Sequence, residues 1–135
     1  MKRIISTTKA PKAVGPYSQA VEINGFLYVC GQIPIDPAIG EVVEGNFNLQ
    51  AKQVLKNLEA IITESGFAMT DVVKTTCFLK SMDDFEAFNK IYGTYFKTNP
   101  PARSCVAVRA LPKDVMVEVE AIAAKFVKVV NEKKV

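Results

Sequence analysis

Histidine does not occur in this 135-residue chain, so the commonest metal ligand and the usual general base at neutral pH are both missing. That absence excludes zinc centres, Ser-His-Asp triads and Cys-His dyads built within one chain type. Cysteine is scarce and odd in number. Cys30, Cys77 and Cys105 lie far apart, each in strand-like surroundings, and read as reduced core thiols rather than a disulfide framework. No stretch approaches the roughly 20 consecutive apolar residues of a membrane span, and the N-terminus lacks the apolar core of a signal peptide. The expected compartment is therefore the cytoplasm, with no membrane as partner. Charge of one sign is lacking too: Lys plus Arg number 17 against 14 Asp plus Glu, and a net charge of +3 gives little electrostatic reason to expect nucleic acid. Glycine-rich phosphate loops, metal-ligand spacings, basic-aromatic interleaving, internal repeats and low-complexity tracts are likewise missing.

What is present fits one domain over residues 1–135, in which 128–135, with Lys128, Lys133 and Lys134, reads as a solvated tail. After a short apolar run at Lys2 to Ser6, the stretch Lys9 to Tyr17 carries Pro11, Gly15 and Pro16 and is irregular. Ala20 to Ile23 and Phe26 to Cys30 flank Asn24-Gly25, the dipeptide best suited to two positive-φ positions, which predicts a hairpin. Pro34 to Gly40 breaks regular structure. Asn46 is a candidate N-cap for a helix from Leu49 to Ser65, whose apolar stripe is Leu49, Val54, Leu55, Leu58, Ile61 and Ile62, with Gly66 at the left-handed cap.

Val72 to Lys80, rich in β-branched residues and apolar on both parities, predicts a strand covered on two sides. A second helix begins near Asp83, buries Phe85, Phe88, Ile91, Tyr92, Tyr95 and Phe96, and ends before Asn99-Pro100-Pro101. Strands at about Ser104 to Arg109 and Val115 to Val127 complete the chain. This order predicts an α+β fold in which two helices cover one face of a mixed sheet. Because several strands are apolar on both faces, the uncovered face is expected to meet another copy in a closed homo-oligomer.

Chemistry concentrates where charge enters this β-structure. Pro100-Pro101-Ala102-Arg103-Ser104-Cys105 fixes the backbone around Arg103, whose planar guanidinium suits bidentate capture of a carboxylate or phosphate. Beyond Leu111-Pro112-Lys113-Asp114, Val115, Val117, Val119 and Ala121 share one parity and face inward, leaving Glu118 and Glu120 on the other. If Ala110 to Asp114 is a symmetric loop, Glu118 lies opposite Val106, on the parity that excludes Arg103 and Cys105. A bulge, another register or a site shared between subunits is then needed to unite Arg103 with Glu118.

Tyr17 in Val14-Gly15-Pro16-Tyr17-Ser18 places a phenol at the start of a strand, and Gly31 after Cys30 permits close approach to its backbone N–H. Each has a plainer reading: an interfacial Arg–Glu pair, solvated glutamates, a packed tyrosine, a bulge glycine and, for Cys105, a structural thiol rather than a nucleophile. At this level the residues stop at an oligomeric α+β domain with a candidate anion-binding Arg and Glu.

Several of these motifs, in order, resemble the Rid family, also called the YjgF or reactive-intermediate-deaminase family. They are Gly15-Pro16-Tyr17-Ser18-Gln19, Gly31-Gln32-Ile33-Pro34, Val73-Lys74-Thr75-Thr76, and Pro101-Ala102-Arg103-Ser104 through Leu111-Pro112-Lys113-Asp114 to Glu118-Val119-Glu120-Ala121, within a similarity spanning residues 2 to 126. The resemblance implies a chorismate-mutase-like fold, a homotrimer whose sheets line an inner barrel, and three ligand clefts between subunits. It implies hydrolysis of 2-imino acids, especially 2-iminobutanoate and 2-iminopropanoate, to 2-keto acids and ammonia without a cofactor. Arg103 matches the carboxylate-binding arginine and Glu118, rather than Glu120, the water-orienting glutamate. Tyr17, Gly31, Cys105 and Asn89 match further cleft positions. Cys30 stands where the family usually has Ser. Two other roles remain open: a regulatory trimer that binds small carboxylates, and the ribonuclease or translation-inhibitor activity often attached to the family.

Overall fold

Residues 1–126 are described by a computed structural model. Strands β1 (Arg3–Ile5), β2 (Ala20–Ile23) and β3 (Phe26–Gln32) open the chain, with β2 and β3 joined at Asn24 and Gly25, whose φ angles are +51° and +81°. The predicted hairpin is therefore present, and β3 runs past Cys30 to Gln32 through a register shift between Val29 and Gln32. The segment expected to be irregular at Pro34 to Gly40 instead contains half of a small ladder, β4 (Ile35–Asp36) paired with β5 (Glu41–Val42). Two-residue strands leave no periodicity to read.

Helix α1 spans Phe47–Glu64, two residues earlier than its apolar stripe predicts, because the Oδ1 of Asn46 accepts the backbone N–H of Leu49 at 3.1 Å and caps the first turn. Leu49 itself is half exposed. Gly66, at φ +87°, donates to the Thr63 carbonyl while Phe67 donates to that of Ile62, closing the helix as expected.

Strand β6 (Val72–Leu79), helix α2 (Phe85–Tyr95) and strand β7 (Ala102–Ala107) form a β-α-β unit, and β6 pairs with β7 in parallel. The last strand, β8 (Val117–Ala124), starts and ends inside its predicted range, and the part of that range at residue 127 lies outside the described residues, as does the 128–135 tail. The sheet order is β1-β2-β3-β8-β6-β7.

This order corrects one reading. β7 and β8 are not a hairpin, because β6 lies between them: Phe78 pairs with Val106 on one side and with Glu118 on the other. The turn at Pro112–Asp114, with Lys113 and Asp114 at φ +54° and +53°, turns the chain so that it passes over β6. Both helices cover one face. Val117, Val119, Ala121 and Ala123 of β8 are buried beneath α1 with Leu27 and Val29 of β3, while Val54, Leu55, Leu58, Ile61 and Ile62 supply the helix side of the core. The opposite face carries Ile4, Val21, Tyr28, Ile122 and Lys74 in one register row, and Ile4 and Tyr28 there are about half exposed.

Candidate functional site

Register fixes which face each candidate side chain uses. Arg103 pairs with Thr75, and Thr75 with Ala121, so Arg103 projects on the helix-covered face from the edge strand β7. Its guanidinium carbon lies 4.8 Å from the Tyr92 ring centroid, 5.5 Å from that of Phe85 and 6.0 Å from that of Phe88, all residues of α2. Nη1 donates to Oδ1 of Asn89 at 2.8 Å. Among the described residues Arg103 is in no ion pair. A half-buried guanidinium set over aromatic rings, with one nitrogen tied and the rest unmatched by a carboxylate among the described residues, offers charge-assisted donors to a planar anion. Cys105 points the same way two residues on. Burial raises its thiol pKa, partly offset by Arg103, so it is a neutral lining group rather than an activated nucleophile.

Glu118 occupies the other face. It pairs with Phe78 and shares its parity with Glu120, opposite the buried Val117 and Val119. Its carboxylate lies across the bulge of β3: a Cβ placed on Gly31 would overlap Oε2 of Glu118 and stand 2.9 Å from its Cδ. The bulge expected at Gly31 is present, and the Glu118 carboxylate packs against it. Half-burial raises the Glu118 pKa, and the negative charge of Glu120 raises it further. Cys30, in the same bulge, receives the Gln32 Nε2 donor on its Sγ at 3.3 Å, and its pKa is raised chiefly by burial and secondarily by Glu118 and Glu120. Cys30 is therefore a neutral thiol.

Tyr17 is half exposed in the loop between β1 and β2, where its hydroxyl accepts the Val14 N–H at 3.3 Å. The buried Gln19 braces that loop by accepting from the Thr7 N–H at 2.7 Å and donating to the Pro11 carbonyl at 2.8 Å.

The structure brings Arg103, Asn89 and Cys105 to one face, and Glu118, Gly31 and Cys30 to a different place in the sheet. One chain does not unite the two groups. Sequence reading gave no contact to Gln32 or Thr75, and it missed the cluster of rings beside Arg103. The cluster was visible only as the buried stripe of α2, which carries no sign of a cation beside it. Among the described residues no cluster of three His, Cys, Asp or Glu side chains is arranged to hold a metal. A groove of about 420 Å³ between Val43, Leu49, Lys52, Lys56 and Tyr95 contains none of these candidates.

Fold and geometry define an α+β domain in which an arginine outside any ion pair among the described residues and a partly buried carboxylate lie on opposite faces of one sheet. The Endoribonuclease L-PSP family model matches residues 7–125. The human 2-iminobutanoate/2-iminopropanoate deaminase is 49% identical over 123 residues, covering 91% of this chain and 90% of its own. The YyfA structure of the Rid protein family from Yersinia pestis superposes with a TM-score of 0.90 at 47% identity, covering 93% of this chain and 100% of that one. E. coli TdcF, solved with bound serine, superposes with a TM-score of 0.88 at 39% identity, covering 92% and 99%. Other relatives are named only as RutC family proteins. The chain belongs to the Rid (Endoribonuclease L-PSP) family.

Proposed function

We propose that this protein hydrolyses 2-imino acids, 2-iminobutanoate and 2-iminopropanoate among them, to 2-keto acids and ammonia, as a homotrimer with its clefts between copies. The observation that carries the reading is the Arg103 guanidinium, 4.8 Å from the Tyr92 ring centroid, tied to Asn89 and unmatched by any carboxylate among the described residues. The named activity of the human relative and the serine on E. coli TdcF, itself a small carboxylate, support the same ligand class. The half-exposed apolar residues of the open sheet face support contact between copies. Three free thiols support a reducing, cytoplasmic setting.

In this reading the substrate carboxylate takes the free donors of Arg103, and Glu118 of a second copy accepts a proton from water as the water oxygen bonds to the iminium carbon. Glu118 hands that proton to the carbinolamine nitrogen, the C–N bond breaks as the carbonyl forms, and the hydroxyl proton leaves with ammonia as ammonium. An iminium is already electrophilic, so orientation and a positioned base are sufficient, with water as co-reactant. Tyr17, the Gly31 backbone N–H, Cys30 and Cys105 line the cleft.

The proposal is tested by generating 2-iminobutanoate with threonine dehydratase and trapping it as its semicarbazone, with and without the protein. Faster imine loss is expected. Binding of 2-oxobutanoate without any acceleration, over a set of imino acids, would replace the enzyme by a carboxylate-binding regulator. The family's endoribonuclease description supplies a rival: RNA cleavage that survives Arg103→Ala but fails on charge reversal of surface lysines would favour it.

Gly31 does not have a positive φ, so Gly31→Ala is tolerated by the backbone while its Cβ displaces the carboxylate. The variant should keep its thermal midpoint within a few degrees and lose about tenfold or more in kcat; unchanged kcat would show that the carboxylate need not lie there. Ionised Glu118 is the working form, so activity falls as pH drops through its pKa. Glu120→Gln removes a nearby negative charge that raises that pKa. The acid limb of the kcat/KM profile should therefore move to lower pH, and a limb that stays in place would detach it from Glu118.

A further inference from the structure

Beside Arg103 lie two residues that the proposed reaction does not use. Thr75 is fully buried on β6 as the register partner of Arg103, and its Oγ1 lies 2.7 Å from the Tyr92 hydroxyl. The Tyr92 ring is the nearest of the three to the guanidinium carbon, and it leans on Phe96 at 4.6 Å and on Phe88 at 5.5 Å between centroids. A Phe at position 92 would fill the same space. The hydroxyl instead carries a polar group into an apolar cluster, where Thr75 is the side chain that satisfies it.

This bond joins the sheet to α2 directly beneath the guanidinium. The strand sets where the Arg103 stem leaves, Asn89 holds Nη1, and the Tyr92 ring lies 4.8 Å from the guanidinium carbon, the closest of the three rings to the fork. We infer that Thr75 and Tyr92 are a positioning pair that orients the Arg103 guanidinium for a planar carboxylate. The inference rests on reading Arg103 as the carboxylate anchor.

The test makes Tyr92→Phe, Thr75→Val and the double variant, each with Arg103 intact and in an Arg103→Ala background. The Kd for 2-oxobutanoate, KM and kcat for 2-iminobutanoate and the thermal midpoint are measured for each. With Arg103 present, each single variant should raise Kd and KM about five- to tenfold with kcat within about twofold, and the double should be no worse than either. In the Arg103→Ala background neither substitution should lower the residual kcat/KM further. A pair that serves only the core would lower the midpoint in both backgrounds and leave Kd unmoved, which overturns the inference. If Thr75→Val does not fold, Tyr92→Phe, which keeps ring and volume, decides alone. An Arg103→Ala protein that binds 2-oxobutanoate like wild type is a separate result: it overturns the anchor and with it the positioning role. Because Kd is read without turnover, absence of deaminase activity leaves the binding arm of the test intact.

Discussion

Arg103→Ala should lower kcat/KM for 2-iminobutanoate by roughly thirty- to a thousandfold, the loss of about 2–4 kcal/mol from one charge-assisted bidentate contact. The fold should hardly register the change. Arg103 is half-buried on the edge strand β7 and is in no ion pair among the described residues, so its removal strands no buried carboxylate. Asn89 loses a donor but is itself only half-buried, and water can replace it. Arg103→Lys should recover little, because an ammonium restores charge without the planar fork or the stacking on Tyr92. Semicarbazone trapping of the imine measures all three proteins under one protocol. Normal turnover by Arg103→Ala would sink the carboxylate-anchor scheme, while a large loss accompanied by a large fall in thermal midpoint would indicate damage to the α2 contact instead.

Local chemistry made part of this fold legible. Asn24-Gly25 specified a tight turn by its positive-φ demand, and the capped ends of α1 followed from Asn46 and Gly66. The alternation Val117, Val119, Ala121 against Glu118 and Glu120 assigned the buried face of β8 correctly. Pairing between distant segments was less accessible. A short turn between two strands reads as a hairpin, yet β7 and β8 are separated by β6, because a strand, helix and strand in succession favour a parallel crossover pair.

The parity conflict survived that error for a geometric reason. Phe78 of β6 stands level with both Val106 and Glu118, so inserting β6 leaves those two on the same face and Arg103 on the other. The Thr75–Tyr92 bond had no comparable local signal: a threonine in a β-rich strand and a tyrosine in an amphipathic stripe each look sufficient as packing.

Mixing two inactive variants should restore activity, and the sheet is the reason. Arg103 leaves the helix-covered face while Glu118 lies on the opposite face over Gly31, so neither side chain reaches the other within one chain. If a cleft draws its arginine from one copy and its glutamate from the next, a chain carrying Arg103→Ala still supplies an intact Glu118, and a chain carrying Glu118→Gln still supplies an intact Arg103. Each homogeneous protein spoils every cleft and should fall by about a hundredfold in kcat/KM. Equal co-expression with random assortment leaves a given cleft intact when one copy is of the first kind and its neighbour of the second. One half times one half restores about one quarter of the clefts, hence about a quarter of wild-type activity, in a closed head-to-tail ring. Purification through two different tags, one on each variant, isolates mixed assemblies, and because every mixed trimer then has one intact cleft in three, the purified material should show about a third of wild-type activity. Separately folded proteins combined just before measurement provide the control for slow exchange. A site complete within one chain gives the opposite result, since every chain then carries one lesion and no assortment repairs it. Activity that stays at the single-variant level in verified mixed assemblies would reject the shared cleft, whatever the fate of Arg103 itself.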